Sequence, residues 1–356
     1  MEKVERNSNI ELLRIVLMIM VVTLHFNNGE MGGAFNLVQD DAASKFILYF
    51  LESLSICAVN CFMIISGYFL AFNKKVRLGK IVDILLIVIF YRVADYALSI
   101  MLGMNSFSVR HFFSSLLPVN YFAIYYIVTY ILSPILAKIF DATSEKSQRL
   151  FVGVSALIFV LWPTVLDAGM DFFGLSLEVL STISTKGNLA GYSVVQFLFD
   201  AVVGMYLRRA KINPKPWTLL LGYFCSAVIM TAGVYQMPSL YNYCSVFTVI
   251  SAVCLFLLFN RLEFQSKAVN FVSKSVFAIF CMHVSSVANA FWRKFFITSE
   301  HIANVWRGGV LVLWVFISVA SMFLICLLID IAIRFTLGHF EKRLCSRCPV
   351  ILRIEE

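Results

Sequence analysis

The sequence predicts an all-α integral membrane protein with about ten transmembrane helices and both termini in the cytoplasm. Its 356 residues are 60% hydrophobic and only 14% charged, and the mean hydropathy is +0.84, whereas soluble domains are roughly 45–50% apolar and about 25% charged. A soluble fold of this length cannot bury so much apolar surface and cover it with so few charges. Lipid is therefore the expected solvent for most of the chain.

Long apolar runs locate the predicted helices. Each run has about 18–26 residues and could cross roughly 30 Å of hydrocarbon as a helix. The runs lack the alternation of barrel strands, and an open sheet edge is unstable in lipid. A shorter stretch, Ser106–Leu117, is expected to lie along the membrane interface. We assign residues 1–340 to one transmembrane domain and residues 341–356 to a short cytoplasmic tail. The runs begin near residues 9, 46, 80, 119, 149, 189, 216, 241, 271 and 308.

The distribution of basic residues predicts the orientation. With the N-terminus inside, 21 of the 29 Lys and Arg residues fall on the cytoplasmic side and two fall within spans. Cytoplasmic loops carry such an excess in membrane proteins. The six outer residues are Lys45, Arg110, Lys186, Arg293, Lys294 and Arg307.

The net charge of +8 could also suggest a nucleic-acid-binding protein. That function requires a basic face on a folded domain, but here the cations lie in short loops between apolar runs. No nucleic-acid partner is predicted. Most cysteines lie in apolar runs, where a thiol behaves as a small hydrophobe. Cys345 and Cys348 form one CxxC pair, which is weak support for zinc and equally compatible with lipidation, so no metal site is predicted.

The first predicted helix carries three ionisable residues. Glu11, Arg14 and His25 fall within about 60° of one another at 100° per residue, so they share one face. Arg14 and His25 are separated by roughly 16 Å along the helix axis. Charge at membrane depth is costly, so this polar face is a candidate functional feature. The alternative is a structural Glu11–Arg14 pair, with His25 only marking the outer headgroup level.

Other intramembrane polar residues have simpler interpretations. Arg92 and Asp95 are expected to form an i,i+3 ion pair in the third helix. Asp200, in the sixth run, has no obvious local partner. His283 by itself favours a buried, hydrogen-bonded histidine over a catalytic one.

Several segments, in the same order, resemble membrane acyltransferase family 3. Arg14 and His25 match its arginine-x10-histidine signature. Residues 59–70 (VNCFMIISGYFL) are similar to its FFxxSGYFL helix, and residues 121–134 (YFAIYYIVTYILSP) to its aromatic helix ending in Ser-Pro. Residues 204–209 (GMYLRR) and 277–283 (FAIFCMH) match its GYYLRR and IYxxH segments. The sequence departs from the family at Lys80, where an arginine is usual, and at Phe122, where tryptophan is usual.

The resemblance implies an O-acyltransferase of the bacterial cytoplasmic membrane. It implies transfer of an acyl group, usually acetyl, from cytoplasmic acyl-coenzyme A to a hydroxyl of a surface polysaccharide or its lipid-linked precursor, with no tightly bound cofactor. His25 would then be the general base or the acyl carrier, because the side chain of histidine, whose unperturbed pKa is about 6.5, suits this chemistry. Arg14 would stabilise donor charge and Glu11 would orient it.

Further residues are assigned weaker roles. Ser66 is a possible nucleophile, although packing of Ser66 and Gly67 between helices is the simpler interpretation. Tyr121 and His283 are possible supporting residues around the site. Ordinary positive-inside anchoring is the alternative for the candidate coenzyme A contacts. Those contacts are Arg14, Lys74, Lys75, Arg77, Arg208 and Arg209.

Two other functional classes also fit a polytopic chain with intramembrane charge. A transporter or flippase for a lipid-linked sugar is expected to show internal repeats, and none is visible in the sequence. A scaffold or sensor would use the polar face of the first helix for packing alone.

Overall fold

The computed structural model describes residues 7–28, 31–38, 41–175, 192–296, 309–345 and 351–353. Within these ranges the chain is almost entirely helical, because a helix satisfies its own backbone groups inside lipid. Two three-residue strands, β1 (Lys75–Arg77) and β2 (Ile351–Arg353), form a small sheet that the all-α prediction did not include.

A π-helical segment, Leu157–Leu161, joins α8 to α9. The helices are α1 (Ser8–Asn27), α2 (Ala34–Leu37), α3 (Ala42–Ser55), α4 (Ala58–Leu70), α5 (Leu78–Met101), α6 (Val109–Ser115), α7 (Tyr121–Asp141), α8 (Glu145–Ala156), α9 (Trp162–Phe172), α10 (Val194–Ala210), α11 (Pro216–Gly233), α12 (Val246–Asn260), α13 (Lys267–Val272), α14 (Val276–Met282), α15 (Ser286–Phe295) and α16 (Gly309–Cys345). Short 3-10 turns, Pro238–Tyr241 and Ser273–Ser275, precede α12 and α14.

Eight helical segments of the described chain are long and apolar enough to cross a membrane, and a bent pair raises the number to nine. The bent pair, Lys267–Met282 and Ser286–Phe295, turns by 89°. The predicted run near residue 189 corresponds to α10, which has 17 described residues. The count of ten and the orientation remain predictions. Cys348 lies outside the described residues. The eight segments are Ser8–Asn27, Ala42–Leu70, Leu78–Met101, Tyr121–Asp141, Glu145–Phe172, Pro216–Gly233, Pro238–Asn260 and Val310–Thr336.

The chain forms two compact units. The first unit comprises residues 1–48, 77–124 and 265–351. Within it, α1 packs against α13, α14 and α16, while α5 packs against α6, α14 and α15. The buried side of α1 is formed by large apolar residues such as Leu13, Leu17 and Phe26. This packing holds the polar residues of α1 at fixed positions within the unit.

The second unit comprises residues 49–76, 125–264 and 352–356. Its most extensive helix contact joins α4 to α10, and α12 packs against both α4 and α11. A Cβ atom added at Gly67 would lie 1.8 Å from the carbonyl oxygen of Ala201, and one added at Gly204 would lie 2.1 Å from that of Ile64. The two backbones therefore touch at both glycines, as in other membrane helix pairs that use small residues.

Substitution of Gly67 or Gly204 by alanine tests this contact. We expect each change to cost about 1–3 kcal/mol of stability through overpacking against backbone, measured as a lower melting temperature of the purified protein in detergent. Gly153→Ala is the matched control, because nothing lies within 4 Å of a Cβ atom added there. Equal melting temperatures for all three variants and wild type would contradict the close approach of α4 and α10.

Candidate active site

Helix α1 places three predicted site residues along the first unit. Glu11 is 6% exposed, and its Oε1 lies 2.9 Å from Nη1 of Arg14, so the i,i+3 pair of the structural alternative is present. The Arg14 side chain keeps 33% of its surface exposed. A buried carboxylate thus orients a guanidinium that still reaches the surface of the unit, and this geometry suits an anionic or carbonyl ligand.

His25 lies in the last turn of α1, beside a tight loop. The amide of Asn28 donates to the carbonyl of Leu24, and the amide of Gly32 donates to the carbonyl of His25 at 2.9 Å. A Cβ atom at Gly32 would lie 2.2 Å from the carbonyl oxygen of Phe26, so only glycine fits. Gly33 follows with a φ of 86°, a left-handed conformation that glycine adopts without strain. The backbone at Gly32 therefore lies directly against the end of the helix that carries His25.

His283 occupies the break between α14 and α15. Its amide and its Nδ1 both contact the carbonyl oxygen of Ile279, at 3.0 and 2.9 Å respectively. Two residues later, Ser285 caps α15 by accepting a hydrogen bond from the amide of Ala288. The His283 side chain is fully buried. The break in the helix therefore fixes this ring inside the unit.

The structure brings His25 and His283 into direct contact across 258 residues of sequence. His25 Nδ1 lies 2.5 Å from His283 Nε2, and the two rings stack with centroids 4.7 Å apart and planes inclined by 28°. His283 is fully buried, whereas His25 is partly exposed. The described part of the chain provides no hydrogen-bond partner for His25 Nε2. One ring of the pair therefore presents a nitrogen to the surroundings, while the other supports it from behind.

Aromatic side chains surround the buried ring. Phe280 lies 5.9 Å from His283 between ring centroids, and it also packs edge-on against Tyr121 and Phe122 at 6.3 and 5.6 Å. Tyr121, a predicted supporting residue, thus contacts Phe280, which in turn packs against His283. The phenylalanine that replaces the family's usual tryptophan at position 122 belongs to the same aromatic cluster.

Asp95 does not pair with Arg92, so that prediction was wrong. The Asp95 carboxylate instead accepts hydrogen bonds from the amides of Ser286 and Val287, each at 3.1 Å, and from the Ser286 hydroxyl at 2.9 Å. Arg92 donates to the carbonyl oxygen of Ser114 at 3.1 Å. The first amides of α15 have no acceptor within their own helix, and the Asp95 carboxylate satisfies them at a helix end that favours negative charge.

A buried ion pair in the same unit was missed by the sequence analysis. Arg334 Nε lies 2.8 Å from Asp330 Oδ2, and Asp330 also accepts a hydrogen bond from the Tyr91 hydroxyl at 2.7 Å. Arg334 completes the cluster by donating to the Ser275 hydroxyl at 2.6 Å. The signal was present in the sequence as an acid and a base at i,i+4 in the last apolar run.

Ser66 and Asp200 lie in the second unit, near the contact between α4 and α10. The Ser66 hydroxyl donates to the carbonyl of Phe62 at 2.8 Å, a bond within its own helix. Asp200 is fully buried and accepts a hydrogen bond from Asn60 at 2.8 Å and a longer one from Gln196 at 3.4 Å. The partners of Asp200 come from α4 and from the preceding turn of α10. Both polar side chains therefore form hydrogen bonds within the second unit.

The second unit also contains a cavity of about 550 Å³. Arg208 Nη1 donates to the Tyr68 hydroxyl at 2.8 Å, and its guanidinium lies 4.7 Å above the Tyr68 ring. Arg209 forms an ion pair with Asp141 at 2.7 Å and donates to the carbonyl oxygen of Ala71. Lys74, Lys75 and Arg77 do not line this cavity. Its charged lining residues are Asp141, Glu145, Arg149, Arg208, Arg209 and Lys211.

A double-mutant cycle tests the role of Asp95. We expect Asp95→Asn and Ser286→Ala to lower the melting temperature with a coupling of about 0.5–3 kcal/mol, because the two side chains share a hydrogen bond. The cycle of Asp95→Asn with Arg92→Gln should be additive. Coupling to Arg92 but not to Ser286 would restore the original i,i+3 interpretation.

The described residues contain no group of three or more His, Cys, Asp or Glu side chains that could hold a metal ion. No curated protein and no solved structure is a significant match to this chain. The acyltransferase family 3 model, described as "Acyltransferase domain", matches residues 7–331 and so includes α1, the His25–His283 pair and most of both units. The chain therefore belongs to acyltransferase family 3, as the resemblance of its motifs predicts.

Proposed function

We propose that this protein is a membrane O-acyltransferase that moves an acetyl group from cytoplasmic acetyl-coenzyme A to a hydroxyl of a cell-surface polysaccharide or its lipid-linked precursor. The observation that carries the proposal is the contact between His25 and His283 in a chain of an acyltransferase family. A partly exposed imidazole with one nitrogen held by a buried partner is arranged as a general base is in other acyl-transfer sites. The proposed location is the cytoplasmic membrane of a bacterium.

The reaction needs a base because a sugar hydroxyl is a weak nucleophile at neutral pH. His25 removes the hydroxyl proton as the oxygen attacks the thioester carbonyl carbon. The tetrahedral intermediate then collapses, the carbon–sulfur bond breaks, and the thiolate of coenzyme A takes the proton from His25. The result is an ester and a free thiol. Arg14, held by Glu11, neutralises donor charge or polarises a carbonyl.

The cavity of the second unit supports binding of the donor's nucleotide end. Its volume lies within the range of about 300–1,000 Å³ that is typical of small-molecule sites. Four of its lining residues are cationic and two are acidic, and arginine suits phosphate recognition. Arg209 forms an ion pair with Asp141 and hydrogen bonds with backbone carbonyls, so its role is to hold the wall of the cavity in place. Arg208 and Lys211 are the better candidates for contacts to phosphate.

Loss of His25 tests the proposed function. We expect His25→Ala to remove one O-acetyl resonance from the NMR spectrum of the host's surface polysaccharide, as deletion of the whole protein does, because transfer lacks its base. His111→Ala is the matched control, since this exposed histidine lies on α6 of the same unit. Membrane levels of all variants are matched before comparison.

Each alternative outcome has a defined meaning. Unchanged glycans in the deletion strain would overturn this class of acceptor. Loss of the whole polymer would indicate a flippase instead. Normal acetylation in the His25→Ala strain would remove His25 from the mechanism while keeping the acyltransferase assignment.

Substitution in the cavity tests donor binding. We expect Arg208→Gln and Lys211→Gln each to raise the KM for acetyl-coenzyme A by about tenfold, equivalent to about 1.4 kcal/mol, with little change in kcat. The assay follows transfer of radiolabelled acetyl groups in inverted membrane vesicles. Lys138→Gln is the control, because Lys138 is an exposed cation near the end of α7 that does not line the cavity. Equal KM values in all variants would exclude the cavity as the nucleotide site.

A further inference from the structure

The direction of each hydrogen bond in the histidine pair follows from one backbone group. His283 Nδ1 lies 2.9 Å from the carbonyl oxygen of Ile279. A carbonyl oxygen can only accept a hydrogen bond, so Nδ1 of His283 carries the hydrogen. The hydrogen is assigned to Nδ1 from the heavy atoms alone, because the carbonyl oxygen has no hydrogen to donate.

The second bond is then determined by the charge state of His283. The ring is fully buried, and no described carboxylate is bonded to it. Burial of an unpaired imidazolium is costly, so the ring is neutral and holds one hydrogen. That hydrogen is on Nδ1, and Nε2 therefore presents a lone pair. The 2.5 Å contact to His25 is satisfied when His25 Nδ1 is the donor.

We propose that His283 is a positioning residue that fixes the neutral tautomer of His25, so that Nε2 of His25 is the nitrogen that reacts with substrate. The proposal rests on the proposed acyltransferase function and specifies its base at the level of one atom. His283 donates from Nδ1–H to the Ile279 carbonyl, and His25 donates from Nδ1–H to Nε2 of His283. The lone pair on His25 Nε2 is then left for the substrate. A carbonyl and a second histidine together occupy the position of the carboxylate in a serine hydrolase triad.

The same arrangement supports the charged intermediate. When His25 Nε2 accepts the proton of the acceptor hydroxyl, the ring becomes an imidazolium whose Nδ1–H still donates to His283. The lone pair on His283 Nε2 stabilises this cation, and the His283 ring itself stays neutral. The proton on Nε2 later passes to the departing thiolate, so both rings return to their starting tautomers. If His25 carries the acyl group covalently, the same lone pair on Nε2 attacks the thioester carbonyl carbon, the carbon–sulfur bond breaks, and coenzyme A leaves as a thiolate. The acceptor oxygen then displaces the acyl group from Nε2, and the hydroxyl proton goes to the thiolate.

The fold maintains the pair through three independent supports. The carbonyl of Ile279 lies one helical turn before His283 and fixes its ring plane. Phe280 packs against the ring. Asp95 binds the first amides of α15, three residues after His283. A helix break held at both ends keeps a buried ring at a defined angle, as a preorganised site requires.

Two amide substitutions separate positioning from simple packing. A glutamine at position 283 places an acceptor oxygen three bonds from Cβ, where Nε2 of histidine lies, whereas an asparagine places one only two bonds away, at the position of Nδ1. We expect His283→Asn to lower kcat by about 100-fold with little change in KM, because His25 loses the acceptor that orders its tautomer. His283→Gln should retain kcat within about tenfold of wild type. Equal losses in both variants, or a change confined to KM, would overturn the positioning role.

A spectroscopic measurement tests the tautomer without turnover. The chain contains five histidines, so the full-length protein labelled with ¹⁵N-histidine in nanodiscs gives few signals, assigned by single substitutions. We expect both His25 and His283 to show a protonated Nδ1 and an unprotonated Nε2 at neutral pH. A protonated Nε2 on His25 would contradict the proposal. Because this readout needs no substrate, the tautomer and the acyltransferase activity can fail separately.

Discussion

In hydrocarbon, water is not available to satisfy polar groups, so each buried one needs a partner from the protein. The first unit meets this requirement in a different way at three acidic residues. Glu11 pairs with Arg14, Asp95 binds helix amides, and Asp330 binds both Tyr91 and Arg334. Each pairing joins segments that are distant in sequence or fixes a side chain within its helix. The positions of the helices in this unit therefore depend on polar contacts as well as on apolar packing.

The requirement for a protein partner also applies to the imidazole of His25. A lone imidazole at the end of α1 could rotate and exchange its tautomers, and both freedoms reduce its value as a base. Contact with a fully buried second ring removes both freedoms. The partner is itself fixed by a helix break, which provides the carbonyl of Ile279 as an acceptor. Irregular backbone inside a membrane protein is tolerated where protein surrounds it. Here the helix break at His283 fixes the orientation of its ring.

Local features of the site could be predicted from the sequence, but its assembly could not. The shared face of Glu11, Arg14 and His25 follows from helix geometry, and the spacing of Arg14 and His25 pointed to the family that the chain belongs to. The contact between His25 and His283 depends on how helices separated by most of the chain pack together, which no periodicity encodes. Asp95 shows the opposite problem, because a plausible i,i+3 partner was present and the correct partner was a helix N-terminus. The predicted starts of the long apolar runs lie near helix starts, except for the run near residue 189, whose predicted start lies outside the described residues.

The backbone contact at Gly67 and Gly204 has a consequence for how this fold tolerates change. Where two helices are separated by side chains, their spacing depends on side-chain volume and shifts when residues are exchanged. Here the spacing is set by main-chain atoms at two points, so it is independent of the apolar residues elsewhere on both helices. Apolar residues elsewhere on α4 and α10 can therefore be exchanged without changing the distance between the two helices, and Asn60 and Asp200 remain within hydrogen-bonding distance.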